Sequence, residues 1–210
     1  MSVCHIVGAG AYTPIKPDLS PGDLVVVCDG GLRYVEKYSI TPDCIIGDFD
    51  SLGYVPEGDN VVVLPVKKDV TDVGAAIELA EKKGCREYRL YGCAGGRISH
   101  TIANLQNLLP LARSGKTVYL YDEREVVTYL HNASMTFRNS SGTLSLFSVG
   151  KAEGVTATGV AYPLSDATLT ETFPLGVSNE FLSDQATVKV SSGTLLVTFP
   201  IDCPLPKRER

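Results

Sequence analysis

The chain has 210 residues, 44% of them hydrophobic and 20% charged, and a formal net charge of −5. A chain of this length folds as one large domain or two modest ones, either able to bury a core. The negative balance excludes sequence-independent binding to nucleic acid, which needs a positive surface to displace counterions, while a small anionic ligand stays possible where a cation bridges it.

The first residues, Met1-Ser2-Val3-Cys4-His5, lack the basic start and longer apolar run of a signal peptide. No stretch reaches transmembrane length, so the cytosol is the expected compartment. Val3 to Val7 reads as a short apolar strand ending in Gly8-Ala9-Gly10, a glycine loop that lacks a third glycine and says little alone. Pro14, Pro17 and Pro21 punctuate the loop that follows, and Leu24 to Cys28 is a valine-rich second strand. At its end stand Asp29, Gly30 and Gly31, ahead of a short helical pattern through Leu32, Val35 and Tyr38. A carboxylate and two glycines at a strand-to-helix junction suit a ligand, because glycine admits close backbone approach and the helix start offers N–H groups. A tight turn with an Asp cap fits the same residues.

Cys44 to Ile46 is a third strand, followed by Gly47-Asp48-Phe49-Asp50-Ser51. In an extended segment Asp48 and Asp50 face the same side. Two unit charges about 4 Å apart repel by roughly 1 kcal/mol in water and about 4 kcal/mol in a partly desolvated cleft, which favours a shared proton or a divalent cation. Oxygen-only ligands at a strand's carboxyl end suggest magnesium carrying a phosphate; a solvated Asp-rich turn is the plain alternative. Val61 to Leu64 is a fourth strand. Lys67-Lys68-Asp69-Val70-Thr71-Asp72 then precedes a helix with apolar positions Val73, Ala76, Ile77 and Ala80, which Asp69 or Thr71 can cap. Tyr88 to Tyr91 is a fifth strand, and Gly92-Cys93-Ala94-Gly95-Gly96-Arg97 leads into another helix. That helix carries Ile102, Leu105, Leu108 and Leu109 on one side and His100, Asn104 and Asn107 on another, and Pro110 is expected to close it. Glycines and a planar guanidinium at a helix start form a candidate phosphate cradle.

Thr117 to Tyr121 and Val126 to Leu130 are two more strands, after which helical periodicity disappears. The remainder reads as short strands at Met135 to Phe137, Thr143 to Val149, Val155 to Thr158, Thr168 to Thr172, Ala186 to Val190 and Leu195 to Phe199. Their Gly and Ser punctuation suits an antiparallel sandwich or barrel. The expected fold is an α/β doubly wound, mostly parallel sheet domain over residues 1–132, then a small all-β sandwich domain over 138–210. The boundary is expected between Leu130 and Ser140, and Lys207-Arg208-Glu209-Arg210 reads as a solvated tail. Six cysteines show no Cys-x-x-Cys and no histidine at zinc spacing, so they read as reduced apolar filler, and the lone His5 and His131 read as structural.

Four polar clusters thus follow four strands of one sheet, on the side where an open parallel sheet binds ligands. Together Asp29-Gly-Gly, Gly47-Asp48-Phe-Asp50-Ser51, Asp69-x-Thr71-Asp72 and Gly95-Gly96-Arg97-x-x-His100 with Asn104 resemble the thiamine pyrophosphokinases. In the second half, Gly159-Val-Ala-Tyr162-Pro163-Leu164 and Gly176-Val-Ser178-Asn179-Glu180 look like that family's carboxyl-terminal signatures. The resemblance implies transfer of a pyrophosphoryl group from ATP to the hydroxyl of thiamine, giving thiamine diphosphate and AMP. It implies magnesium on Asp29, Asp48, Asp50 and Asp72, directly or through water, with Asp48, Asp50, Asp72 and Arg97 catalytic. Asp29, Gly30, Gly31, Gly95, Gly96, Arg97, His100 and Asn104 are expected to hold the nucleotide, and Asp69, Thr71, Ser178 and Asn179 to serve thiamine. His100 and Asn104 either contact nucleotide or pin their helix. The resemblance also implies a homodimer whose thiamine groove lies between one protomer's first domain and its partner's second.

One departure stands out: the family's Gly-Gly-Arg-x-Asp-His has Ser99 at the Asp position, where a serine caps a helix but carries no charge. The chain also has no tryptophan, so any tryptophan stacked on thiamine in relatives is replaced or absent, with Tyr162 a stacking surface or a strand-end anchor. Competing readings are a phosphohydrolase using Asp48 as nucleophile, a metal-dependent sugar transferase, and a non-catalytic nucleotide or thiamine-binding module.

Overall fold

The structure, a computed structural model, describes residues 2–11, 13–67 and 69–209; Met1, Lys68 and Arg210, which entered the sequence reading, lie outside them. Contacts divide the chain into two compact units, Met1–Leu111 with Lys116–Glu123, and Ala112–Gly115 with Arg124–Arg210.

The first unit is built on strands β1 (Val3–Val7), β2 (Leu24–Cys28), β3 (Cys44–Gly47), β4 (Val61–Val63), β5 (Glu87–Tyr91) and β6 (Thr117–Tyr121). They pair in parallel in the order β6-β5-β1-β2-β3-β4. A parallel sheet is covered on both faces, so its inner strands are continuous apolar runs, and every residue of β2 is buried. Strands added after β1 extend the sheet one way, whereas β5 returns to β1's other side. The crevice where direction reverses therefore opens beside the ends of β1 and β5.

Helices α1 (Leu32–Lys37), α2 (Asp72–Lys82) and α3 (Ile98–Arg113) connect the strands. Helix α2 buries Val73, Ala76, Ile77 and Ala80, the expected apolar stripe, and its cap is Thr71, whose Oγ1 accepts from Gly74 N at 3.0 Å. Pro110 does not close α3, which runs three residues further. Proline forfeits one intrahelical bond, but Leu111 and Ala112 just beyond it are buried, and that burial offsets the loss.

The second unit contains β7 (Glu125–His131), β8 (Ser134–Arg138), β9 (Thr143–Ser148), β10 (Lys151–Thr158), β11 (Leu164–Thr170), β12 (Gly176–Glu180), β13 (Gln185–Lys189), β14 (Thr194–Pro200) and β15 (Lys207–Glu209). They form antiparallel ladders in the orders β12-β9-β14-β7 and β11-β10-β13-β8-β15. Phe137 of β8 meets Phe199 of β14 edge-on at 5.2 Å, so side chains of the two sheets share a core.

The contact division between Glu123 and Arg124 lies ahead of the expected Leu130–Ser140 boundary, and β7 is laddered along its whole length with β14. One further expectation changes. The expected tail is strand β15, paired with β8, with Arg208 hydrogen-bonded to Thr128 Oγ1. Gly176–Glu180 is a bulged strand that completes the edge of β9.

His5 is fully buried on β1, with Nε2 3.3 Å from Asp23 Oδ2 and its ring stacked at 5.9 Å on Tyr91, which stacks at 4.7 Å on Tyr121. Burial pushes its pKa down, against the pull of Asp23. The unfolded chain therefore binds a proton near pH 6.5 that the folded chain refuses, so stability is full above that pH and is lost as pH falls through it. We expect urea unfolding to show lower stability at pH 5.5 than at 7.5, and His5→Gln to flatten that slope. An unchanged slope in the variant would show that His5 does not carry it.

Candidate active site

Loops leaving β1, β2, β3 and β5 converge at the switch-point crevice and enclose a cavity of about 780 Å³ with the first turns of α2 and α3. Of the residues singled out from sequence, Asp29, Asp48, Asp50, Thr71, Asp72, Gly95, Gly96, Arg97, His100 and Asn104 line it. They come from four separate stretches of chain.

Asp29 follows β2 in a left-handed conformation, φ 46°, and is only 6% exposed. Its Oδ2 accepts a hydrogen bond from Ser51 Oγ, while Oδ1 is buried with no hydrogen-bond partner among the described residues. β3 ends at Gly47, and an added Cβ there would stand 3.2 Å from Asp29, so glycine lets the two strand ends pass closely. The next segment is not extended as expected. Phe49 is buried against Ile45 and Leu52 with φ 60°, turning the chain while anchoring it. Asp48 and Asp50 nevertheless come together, and each offers an oxygen within 4.8 Å of the other and of Asp29.

Three such carboxylates repel by roughly 1 to 4 kcal/mol per pair, depending on solvent screening. The set is all oxygen, which suits a hard cation such as magnesium and not a soft one. The orphaned, buried Oδ1 of Asp29 is the observation that fits a cation here, since an unpartnered carboxylate oxygen is costly to bury.

Asp72 lines the cavity at the first residue of α2 but stands outside this close trio, so the expected four-carboxylate cluster is a group of three with a fourth nearby. Asp69 is exposed and does not line the cavity; the capping it could have supplied comes from Thr71. Asn107 Nδ2 also approaches Thr71 Oγ1 at 3.4 Å, tying α3 to the cap of α2.

At the start of α3, the carbonyl of Arg97 accepts from His100 N at 3.0 Å and Thr101 N at 3.3 Å. Ser99 therefore sits inside the first turn, exposed, and not at the cap. Buried Asn104 donates Nδ2 to Cys93 O at 2.7 Å, so it pins α3 to the β5 loop, whereas His100 is exposed at the cavity. Gly30 and Gly31 do not line the cavity. An added Cβ on Gly31 would lie 2.3 Å from Val7 O, so that glycine serves close packing onto β1.

Sequence reasoning undervalued Gly8 to Ala11, which form one wall. Gly10 N donates to Gly92 O at 2.6 Å and Ala11 N to Ala94 O at 3.1 Å, and a Cβ on Gly10 would stand 2.6 Å from Ala94 O. Two loops pressed backbone to backbone leave no room for a side chain, and the signal was two glycines rather than a phosphate fingerprint. Cys28 and Cys93 also line the cavity; burial pushes both thiols up, Cys93 to about 12, which keeps them protonated filler. All six cysteines are free and buried.

In the second unit, Asn179 does not present its amide to a ligand. It is buried, its Oδ1 accepts from Tyr162 N at 2.9 Å and Glu180 N at 3.0 Å, and its Nδ2 donates to Tyr162 O at 2.7 Å. The amide clamps the backbone beneath the Tyr162 ring, and that residue is 69% exposed. Ser178 is exposed in a left-handed conformation, its N–H donated to Ser145 Oγ at 3.1 Å.

Comparison with known proteins agrees with this layout. Residues 17–120 match the family model described as thiamin pyrophosphokinase, catalytic domain, and residues 133–195 the model described as thiamin pyrophosphokinase, vitamin B1 binding domain. A thiamine pyrophosphokinase of Bacillus subtilis (strain 168) is 24% identical over 210 residues, covering 94% of this chain and 98% of that one. The crystal structure of thiamine pyrophosphokinase from Bacillus subtilis superposes with a TM-score of 0.84 at 23% identity, covering 96% of this chain and 100% of that one. The thiamin pyrophosphokinase from Geobacillus thermodenitrificans gives 0.81 at 26% identity, over 95% and 98% of the two chains. With both units matched in order, the chain belongs to the thiamin pyrophosphokinase family.

Proposed function

We propose that this protein transfers a pyrophosphoryl group from ATP to the hydroxyl of thiamine, giving thiamine diphosphate and AMP. The observation that carries the reading is the convergence of Asp29, Asp48 and Asp50 in a glycine-walled cavity, within a chain whose two halves match the two family domains. The hydroxyl oxygen of thiamine bonds to the β-phosphorus as the bond to the α–β bridging oxygen breaks, and AMP departs with that electron pair. Such chemistry depends on positioning and charge compensation more than on covalent catalysis. When bound, magnesium supplies positive charge to the phosphate oxygens. Asp29, Asp48 and Asp50 would hold it, with Asp72 on the same cavity as a further carboxylate. Arg97 offers its guanidinium to the triphosphate, the backbone of Gly95 and Gly96 admits it closely, and His100 and Thr71 flank the ligand. Asn104 acts indirectly, by holding α3 in place.

The first unit, read as doubly wound, thus binds nucleotide, while the second presents Tyr162 and Ser178 to thiamine. The second unit also exposes Phe173, Leu175, Val177 and Leu182, an apolar set that supports burial against another copy in a homodimer. Sedimentation as a monomer at micromolar concentration would count against the dimer. Six reduced, buried cysteines support a reducing compartment, the cytosol; no helix among the described residues is long and apolar enough to cross a membrane.

Incubation with ATP, Mg²⁺ and thiamine is expected to release AMP in step with thiamine diphosphate, and chelation to stop it. ADP would mean ordinary phosphoryl transfer, and neither product a binding module. Because Ser99 is exposed in the first turn of α3, Ser99→Asp should fold normally and remain active, checked by circular dichroism and AMP release; a folded but dead variant would contradict this.

A further inference from the structure

Ser51 is the uncharged polar residue of the acidic loop, and nothing in the functional reading so far requires it. It lies just past the anchored Phe49, on the same loop as Asp48 and Asp50, and its hydroxyl reaches back to the carboxylate that follows β2. Asp29 thereby has one oxygen occupied and one bare. Its Oδ2 accepts from Ser51 Oγ and its Oδ1 is buried without a hydrogen-bond partner among the described residues, while a carboxylate oxygen of Asp29 lies within 4.8 Å of oxygens of Asp48 and Asp50.

A carboxylate free to turn about its last bond can offer either oxygen, or neither, to a ligand. One held by a hydrogen bond at Oδ2 presents Oδ1 in a fixed direction. Ser51 is itself exposed, so its hydroxyl is not spent on packing, and among the described residues its side chain makes only this bond. The backbone supports the same arrangement. Asp29 and Phe49 are both left-handed residues other than glycine, a costly conformation that steers the loops after β2 and β3 toward each other.

We propose that Ser51 is a positioning residue for the cation site: it orients Asp29 so that the bare Oδ1 completes the set formed with Asp48 and Asp50. The inference rests on the metal reading given above. It assigns the serine of the Gly-Asp-Phe-Asp-Ser segment a role distinct from that of its two carboxylates. Ser51 lines the same cavity, and the role assigned to it is exerted through Asp29.

The test is direct binding of Mn²⁺ to the full chain, read by loss of the free-ion electron paramagnetic resonance signal, with competition by Mg²⁺. Ser51→Ala should weaken Mn²⁺ binding 10- to 100-fold, as removal of an orienting partner does at other metal sites. Its metal-free thermal midpoint should fall by only a few degrees, the cost of one hydrogen bond to a carboxylate, and the chain should stay folded under the binding conditions. Ser51→Thr, which keeps a hydroxyl, should restore most of the affinity. In turnover, Ser51→Ala should raise the Mg²⁺ concentration needed for half-maximal rate more than it lowers the rate at saturating Mg²⁺. Asp48→Asn separates the two claims. Wild type binding Mn²⁺, Asp48→Asn losing it and Ser51→Ala keeping it in full would overturn the role of Ser51 while leaving the cation site intact. Wild-type binding insensitive to Asp48→Asn would overturn both.

Discussion

The structure depends on holding three carboxylates together where the sheet cannot hide them. Asp29 is almost completely buried, yet one of its oxygens lacks a partner, and Asp48 and Asp50 bring two more oxygens within 4.8 Å of it. Left alone, such a group repels itself and pays for desolvation. It persists because covalent and packing constraints leave it nowhere else to go. Phe49 pins the acidic loop into a small apolar cluster with Ile45 and Leu52, and Gly47 lets the end of β3 lie against Asp29. On the proposed reading a dication would turn that repulsion into affinity, so the cost of gathering the carboxylates and their use would have the same origin.

The rest of the first unit keeps the surrounding walls in register. Parallel strands place every carboxyl end on one edge, and the reversal of strand order beside β1 opens the crevice there. The two loops that border the reversal are locked by backbone bonds from Gly10 and Ala11 to Gly92 and Ala94. Asn104 ties α3 to Cys93, and Thr71 links the start of α2 to Asn107. These polar contacts fix the starts of two helices without placing charge in the cavity.

The second unit follows a different logic. Its two antiparallel ladders bury alternate residues, and its ligand-facing candidates are surface features supported from beneath. Asn179 shows this well. It spends its amide on the backbone of Tyr162, so its contribution to an exposed aromatic is indirect. The same amide also shapes the bulged edge strand in which Ser178 is forced left-handed.

Much of this was legible in the chain. Mostly apolar runs of three to five residues marked the parallel strands, the spacing of Val73, Ala76, Ile77 and Ala80 marked α2, and strand-end clusters of Asp and Gly marked the edge on which the candidate site lies. Those signals are local, because burial of a face imposes a period on the sequence that buries it. Other features needed the folded chain. That α3 passes through Pro110 was decided by burial of the turn beyond it, and that Lys207 to Glu209 pairs as a strand was decided by an open edge on β8. Gly8 and Gly10 are explained by a loop eighty residues away, and Asn179 looks like a ligand until its partners at Tyr162 are seen. The sequence by itself determined which carboxylates were available and on which side of the sheet they would emerge. Only the tertiary structure decided that Asp29, Asp48 and Asp50 meet while Asp72 stands apart and Asp69 faces solvent, because convergence is set by how loops pack and not by the spacing of residues along any one of them.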